Sequence, residues 1–120
     1  MKKVSILVPA YNEEKSLPLL YPELVSLMDS HSEYEWEVVF VDDGSSDHTL
    51  EMVKALHQED KRIRSVSLSR NFGKENAMLA GFDYVSGDCT IIMDADLQHP
   101  PTAIPEMIKH WEEGYEDVYA

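Results

Sequence analysis

The chain has one cysteine, Cys89, in 120 residues. A lone thiol cannot close an internal disulfide, which indicates a reducing compartment and a fold held by its core. Cys89 lies within an apolar run and reads as a small core residue rather than a nucleophile. Basic residues are also scarce: 10 Lys+Arg stand against 23 Asp+Glu, for a net charge of −13. That balance argues against nucleic acid and an anionic membrane surface as partners, since both need a basic footprint; it suits a bound cation better, although most of these acids read as solvated surface. Long apolar runs are missing as well. None approaches the roughly 20 residues of a membrane span, and the stretch after Lys2-Lys3 stops at Pro9, too short for a signal peptide. The chain as given reads as soluble and cytoplasmic. Neither Gly-x-x-x-x-Gly-Lys-Ser/Thr nor Gly-x-Gly-x-x-Gly occurs. A phosphate bound here would be held through a metal rather than cradled by a glycine loop.

What is present is a regular alternation. Residues 4–8, 36–41, 63–68 and 89–93 are short apolar runs that read as strands, with 63–68 weak enough to lie at an edge, and 117–120 reads as the start of another. Between them, 16–30 carries apolar residues at helical spacing, with Pro22 predicting a kink or a late start. Ser46 or Asp47 offers a cap for a helix with Leu50, Val53 and Leu56 on one face. Residues 74–85 form a helix with Met78, Phe82 and Val85 inward, and Gly81 lets it sit close to a sheet. Thr102 caps a last helix carrying Ile104, Met107, Ile108 and Trp111. Continuous apolar strands alternating with amphipathic helices define an α/β domain over 1–120. It has three layers, a mostly parallel sheet with helices on both faces.

In such sheets ligands bind beyond the carboxyl ends of the strands. The four ends read Pro9-Ala10-Tyr11-Asn12-Glu13-Glu14, Asp42-Asp43-Gly44-Ser45-Ser46-Asp47, Ser69-Arg70-Asn71-Phe72-Gly73-Lys74 and Asp94-Ala95-Asp96-Leu97-Gln98-His99. Each alone has a structural explanation as a turn or a cap. Parallel topology brings all four to one rim, where gathered carboxylates repel unless protonated or neutralised by a cation. Asp94 and Asp96 leave a strand that has begun to turn, so both can face one ion. Oxygen ligands suit Mg²⁺ or Mn²⁺. Gln98 adds a neutral oxygen, and His99 beside Pro100 reads as a turn residue.

With Val8 leading the first of these blocks, Val41 the second and Met93 the last, and Arg70-Asn71-Phe72-Gly73-Lys74 as the third, the chain resembles the family-2 glycosyltransferases of GT-A fold. It is most similar to the polyprenyl-phosphate sugar transferases, which act on dolichol or undecaprenyl phosphate. The likeness covers nearly all 120 residues. It implies a Rossmann-like nucleotide-binding half of that fold. Pro9, Tyr11 and Glu13 would line a base and ribose pocket, completed by Val41, Asp42 and Asp43. Asp94 and Asp96, with Gln98, would hold Mg²⁺ or Mn²⁺ on the diphosphate of a UDP- or GDP-linked sugar, and Ala95 would touch the nucleotide through its backbone. Lys74 would approach the sugar or a phosphate. Asp94 and Asp96 would thereby be the catalytic pair.

The implied reaction inverts the anomeric centre, by direct attack of a polyprenyl phosphate that is already an anion. Members of that subfamily are longer. The resemblance therefore implies that acceptor-binding residues and membrane helices lie beyond residue 120, in a parent on the cytoplasmic membrane face. The isolated chain would bind donor weakly, show little transfer, and be open to self-association through an unpaired sheet edge. Other readings are a nucleotide-sugar-binding domain without catalysis and a transferase acting on a saccharide hydroxyl. A receiver-type signalling domain needs an acidic pair after the first strand and an aspartate after the third. Pro9-Ala10-Tyr11-Asn12 and Ser69-Arg70-Asn71 do not supply them.

Overall fold

The structure, a computed structural model, describes residues 2–95 and 104–112. Strands and helices alternate as β1 (Lys3–Ala10), α1 (Leu17–Ser30), β2 (Glu35–Asp42), α2 (Thr49–Glu59), β3 (Ile63–Ser67), α3 (Lys74–Phe82), β4 (Cys89–Ile92) and α4 (Ile104–Glu112). The strands form one sheet in the order β3-β2-β1-β4, every pair parallel. β3 is at an edge, as its weaker apolar pattern predicts. The strand expected at 117–120 and the Thr102 cap lie outside the described residues.

Side chains alternate across the sheet, and the two faces carry different partners. Val4, Ile6, Val8, Val38, Phe40 and Ile91 enter one large cluster with Leu17, Leu20 and Leu24 of α1, Val53 of α2 and Ile104, Met107 and Ile108 of α4. Leu7, Val39 and Val41 face the other way, onto Ala77 of α3. Helices thus cover both faces. Burying each large aliphatic side chain is worth about 1.5–3 kcal/mol, so the first face supplies most of the stability. Cys89 is buried there, and burial pushes its thiol pKa up, which leaves it a core residue.

Three local expectations are corrected. The inward face of α3 is Ala77 and Gly81, whereas Phe82 is 45% exposed; Val85, just past the end of the helix, does pack partly buried against Leu7, Val39 and Val41 as expected. The reason is proximity: a Cβ on Gly81 would stand 2.4 Å from Leu7 Cδ1 and 2.8 Å from Val41 Cγ2. Only the smallest side chains fit between helix and sheet, so the larger ones turn outward. Of the kink or late start expected at Pro22, the late start does not occur: α1 starts at Leu17 and contains the proline. Pro22 and Pro18 are both exposed, so the Pro18 carbonyl that loses its donor sits on the solvent side. The first helical position of α2 follows His48 rather than Ser46 or Asp47. Even so, Asp47 does the capping: its Oδ1 accepts from the Thr49 N–H at 2.9 Å and from the Thr49 hydroxyl at 2.5 Å.

A polar cluster lies on the α3 face at the amino end of the sheet. Ser5 and Glu37 are register partners, and both are buried. The Glu37 carboxylate accepts from the Ser5 hydroxyl at 2.6 Å, the Ser86 N–H at 2.8 Å and Arg64 Nη1 at 2.7 Å. The Gly87 N–H closes the cluster by donating to Ser5 Oγ at 2.8 Å. These bonds fasten the α3–β4 connection under the sheet.

Candidate functional site

The chain runs outward from β1 through β2 to β3 and then crosses back to place β4 on the other side of β1. The carboxyl ends of β1 and β4 therefore flank the point where strand order reverses, the usual ligand crevice of an open parallel sheet. A cavity of about 330 Å³ opens there. Pro9, Ala10, Tyr11 and Glu13 line it from the end of β1, Asp94 and Ala95 from the end of β4. Asp43 contributes from the end of β2, and Asn71, Gly73 and Lys74 from the turn before α3.

Of the residues singled out in the sequence, Pro9, Tyr11, Glu13, Asp43, Lys74, Asp94 and Ala95 are brought together. Val41 and Asp42 do not line the cavity. Val41 is wholly buried against Leu7, Val39 and Ala77. Asp42 follows Phe40 toward the opposite face by strand alternation. It is 3% exposed, and its Oδ1 has no hydrogen-bond partner among the described residues. Asp96 and Gln98 lie outside the described residues.

Asp43 is a clamp. Its Oδ1 accepts from the Phe72 N–H at 2.8 Å and its Oδ2 from the Gly73 N–H at 3.1 Å. The Phe72 donor is thereby satisfied, the Gly73 N–H is shared with Asn71 Oδ1 at 3.0 Å, and Gly73, with φ +97°, completes the turn into α3. The turn delivers Lys74, whose ammonium forms an ion pair with Asp94 Oδ1. A carboxylate from β4 and a cation from α3 thus meet inside the cavity.

The sequence reading missed Asn12. Its φ is +52°, in the left-handed region that asparagine tolerates better than most residues. Its N–H donates to Ser45 Oγ at 2.9 Å, and its carboxamide oxygen accepts from the Ser46 N–H at 2.8 Å. Next to it the Glu13 N–H donates to Thr49 Oγ1 at 2.8 Å. The β1 and β2 loops are laced together, which fixes Tyr11 and Glu13 at the cavity. The signal available was an asparagine directly after a strand, a common left-handed turn position. Asp47 belongs to the same lacing. Burial would raise its pKa, but hydrogen bonds from Thr49 and the Glu14 N–H hold it below the ordinary aspartate value.

Asn12→Ala should lower stability by about 1–2 kcal/mol, from backbone strain and lost acceptors. Asn12→Gly should recover the strain part only. Thermal melts of the three proteins check this order.

For a metal, the structure offers a partial test. Among the described residues no three His, Cys, Asp or Glu side chains converge. Asp94 nevertheless already holds a cation, the Lys74 ammonium, against a hard oxygen donor of the kind Mg²⁺ and Mn²⁺ prefer. The donor type fits.

A parallel α/β sheet with a charged crevice at its switch point places the chain among proteins that bind ligand at the carboxyl ends of their strands. Its family is then given by the sequence match: residues 5–120 match Glycosyl transferase family 2, and the chain belongs to that family. It is 46% identical over 119 residues to the undecaprenyl-phosphate 4-deoxy-4-formamido-L-arabinose transferase of Salmonella choleraesuis, covering 98% of this chain and 36% of that protein. The chain spans about a third of the length of the curated relatives it matches. Among solved structures it resembles S. aureus TarS in complex with UDP-GlcNAc, with a TM-score of 0.74 and 26% identity, over 92% of this chain and 31% of that one. It shares its fold with the mannosyltransferase PcManGT from Pyrobaculum calidifontis, solved with GDP-Man and Mn²⁺, at a TM-score of 0.67 and 24% identity, over 79% of this chain and 28% of that one. The expected α/β fold of GT-A type is borne out. No helix among the described residues is long and apolar enough to cross a membrane.

Proposed function

We propose that this chain forms the donor-binding part of an inverting, metal-dependent glycosyltransferase that transfers a sugar from a UDP- or GDP-linked donor to a polyprenyl phosphate. The observation that carries this is the crevice between β1 and β4, where Asp94, Lys74 and the turn held by Asp43 face Pro9, Tyr11 and Glu13. The chain's likeness to an undecaprenyl-phosphate sugar transferase supports the acceptor class.

In this reading Pro9, Tyr11 and Glu13 border the base and ribose. Val41 packs beneath that wall, and Asp43 both holds the α3 turn and offers its remaining lone pairs. Asp42 supplies a buried acceptor behind them. Asp94, with Asp96 and Gln98, would hold Mg²⁺ or Mn²⁺, which when bound supplies Lewis-acid neutralisation of the diphosphate. Ala95 meets the nucleotide through its backbone, and Lys74 meets a phosphate or the sugar. The acceptor phosphate oxygen forms the new bond to sugar C1 from the side opposite the diphosphate. The old C1–O bond breaks, and the nucleoside diphosphate leaves with its electron pair. The attacking group is already ionised, so this chain's residues need to position and neutralise rather than to remove a proton. The parent enzyme works at the cytoplasmic membrane face.

Calorimetric titration with UDP and with GDP, each with and without Mn²⁺, tests the donor site. Binding should depend on the metal and weaken by about tenfold or more in Asp94→Ala, since loss even of an outer-shell partner costs that much. Nucleotide binding that ignores both metal and substitution would overturn the reading.

A further inference from the structure

We propose that Lys74 is a built-in counter-ion for Asp94, displaced when a divalent metal binds, so that metal loading and release of the Lys74 ammonium into the cavity are a single event. The inference rests on the donor-site reading and adds to it a coupling between two of its residues.

The geometry sets up the exchange. Lys74 is the first residue of α3 and follows Gly73, whose N–H is held by Asp43 Oδ2, so its backbone is anchored. Its side chain is 58% exposed, while that of Asp94 is 22% exposed at the end of β4. The ammonium sits on Asp94 Oδ1, one of the two oxygens this carboxylate can offer a metal. A divalent ion arriving there meets a like charge at contact distance. Two cations on one carboxylate repel, and that repulsion drives the lysine off. Once free, a flexible ammonium on the cavity wall becomes a donor for the diphosphate, whose charge then outweighs that of Asp94. Without donor, the pair keeps Asp94 neutralised in a strongly acidic chain and so opposes idle metal binding. Metal and nucleotide would therefore load cooperatively.

The test measures free Mn²⁺ by electron paramagnetic resonance in titrations of the chain, Lys74→Met and Asp94→Asn, each without nucleotide and with UDP or GDP. Lys74→Met should bind Mn²⁺ alone more tightly, by about tenfold, the effect of removing one competing charge. With nucleotide present the order should invert, because the diphosphate has lost its ammonium partner. A lysine with a merely structural role would not move the two measurements in opposite directions. Circular dichroism confirms that each variant is folded. If Mn²⁺ affinity in Lys74→Met is unchanged or weaker while Asp94→Asn still abolishes binding, the counter-ion proposal fails and the donor site stands. If Mn²⁺ binding is absent in the parent chain, or indifferent to Asp94→Asn, the donor-site reading fails with it.

Discussion

Gly44→Ala should be the most damaging single-methyl change at the site, lowering stability by about 3 kcal/mol or more and weakening nucleotide binding with it. Gly44 has φ +71°, and a Cβ there would lie 2.2 Å from the Arg70 carbonyl carbon and 2.4 Å from the Asn71 nitrogen. Both neighbours are backbone, so no side chain can rotate to make room. The turn from Arg70 to Gly73 would have to move, carrying with it the amides that Asp43 holds and the start of α3 with Lys74. Gly73→Ala is the control. Gly73 also has positive φ, at +97°, but nothing lies within 4 Å of its missing Cβ. With ψ 153° it lies in a backbone region nearly confined to glycine, so alanine should cost the backbone strain alone, about 1–3 kcal/mol. Melts of the two variants separate lack of space from lack of conformational freedom. Equal losses would show that the Gly44 contact does not matter.

Glu37→Ala should cost about 3 kcal/mol, far from the crevice. The substitution leaves Ser5, Ser86 and Arg64 without their shared acceptor and opens a void under the sheet. Burial alone would raise the Glu37 pKa. Hydrogen bonds from Ser5, the Ser86 N–H and Arg64, with the charge of Lys3, outweigh it and hold the group below the ordinary glutamate value. The sign of the pH effect follows. A carboxyl with a lower pKa in the folded than in the unfolded chain binds fewer protons when folded. Its contribution is present above the unfolded value, about 4.3, and is lost as pH falls through the folded value. Glu37→Gln should therefore be less stable than the parent at neutral pH, and the gap between them should close below about pH 4. Urea melts at several pH values measure it. A gap independent of pH would show that the carboxylate charge does not contribute.

These two sites also mark where sequence reading reaches its limit. Apolar runs and helical spacing are local, so the strands, helices and chain order were legible, as were the polar strand ends that converge in any parallel sheet. Gly81 announced a close helix–sheet approach. The inward residues of α3 were misread because nothing in a nine-residue helix with apolar side chains on several faces says which side the sheet will take. Close approach selected Ala77 and Gly81 and sent Phe82 outward. Asp43 and Asp42 are indistinguishable in the sequence. The end of β2 separated them: Asp42, last in the strand, follows Phe40 toward the α1 face, and Asp43 just beyond it reaches the crevice.

The sequence by itself determined the class of sheet, the rim on which chemistry gathers and the family to which the chain belongs. Those follow from periodicity and from motifs read within a few residues of one another. Tertiary structure alone decided that β4 lies beside β1, so that Asp94 faces Pro9 across a switch point. It also decided that Asn12 holds a loop 34 residues away, that Glu37 anchors Ser86 across 49 and that Lys74 reaches Asp94. Each of these joins groups far apart in the chain, and their partnership depends on strand order and on which face each side chain takes, neither of which local spacing encodes.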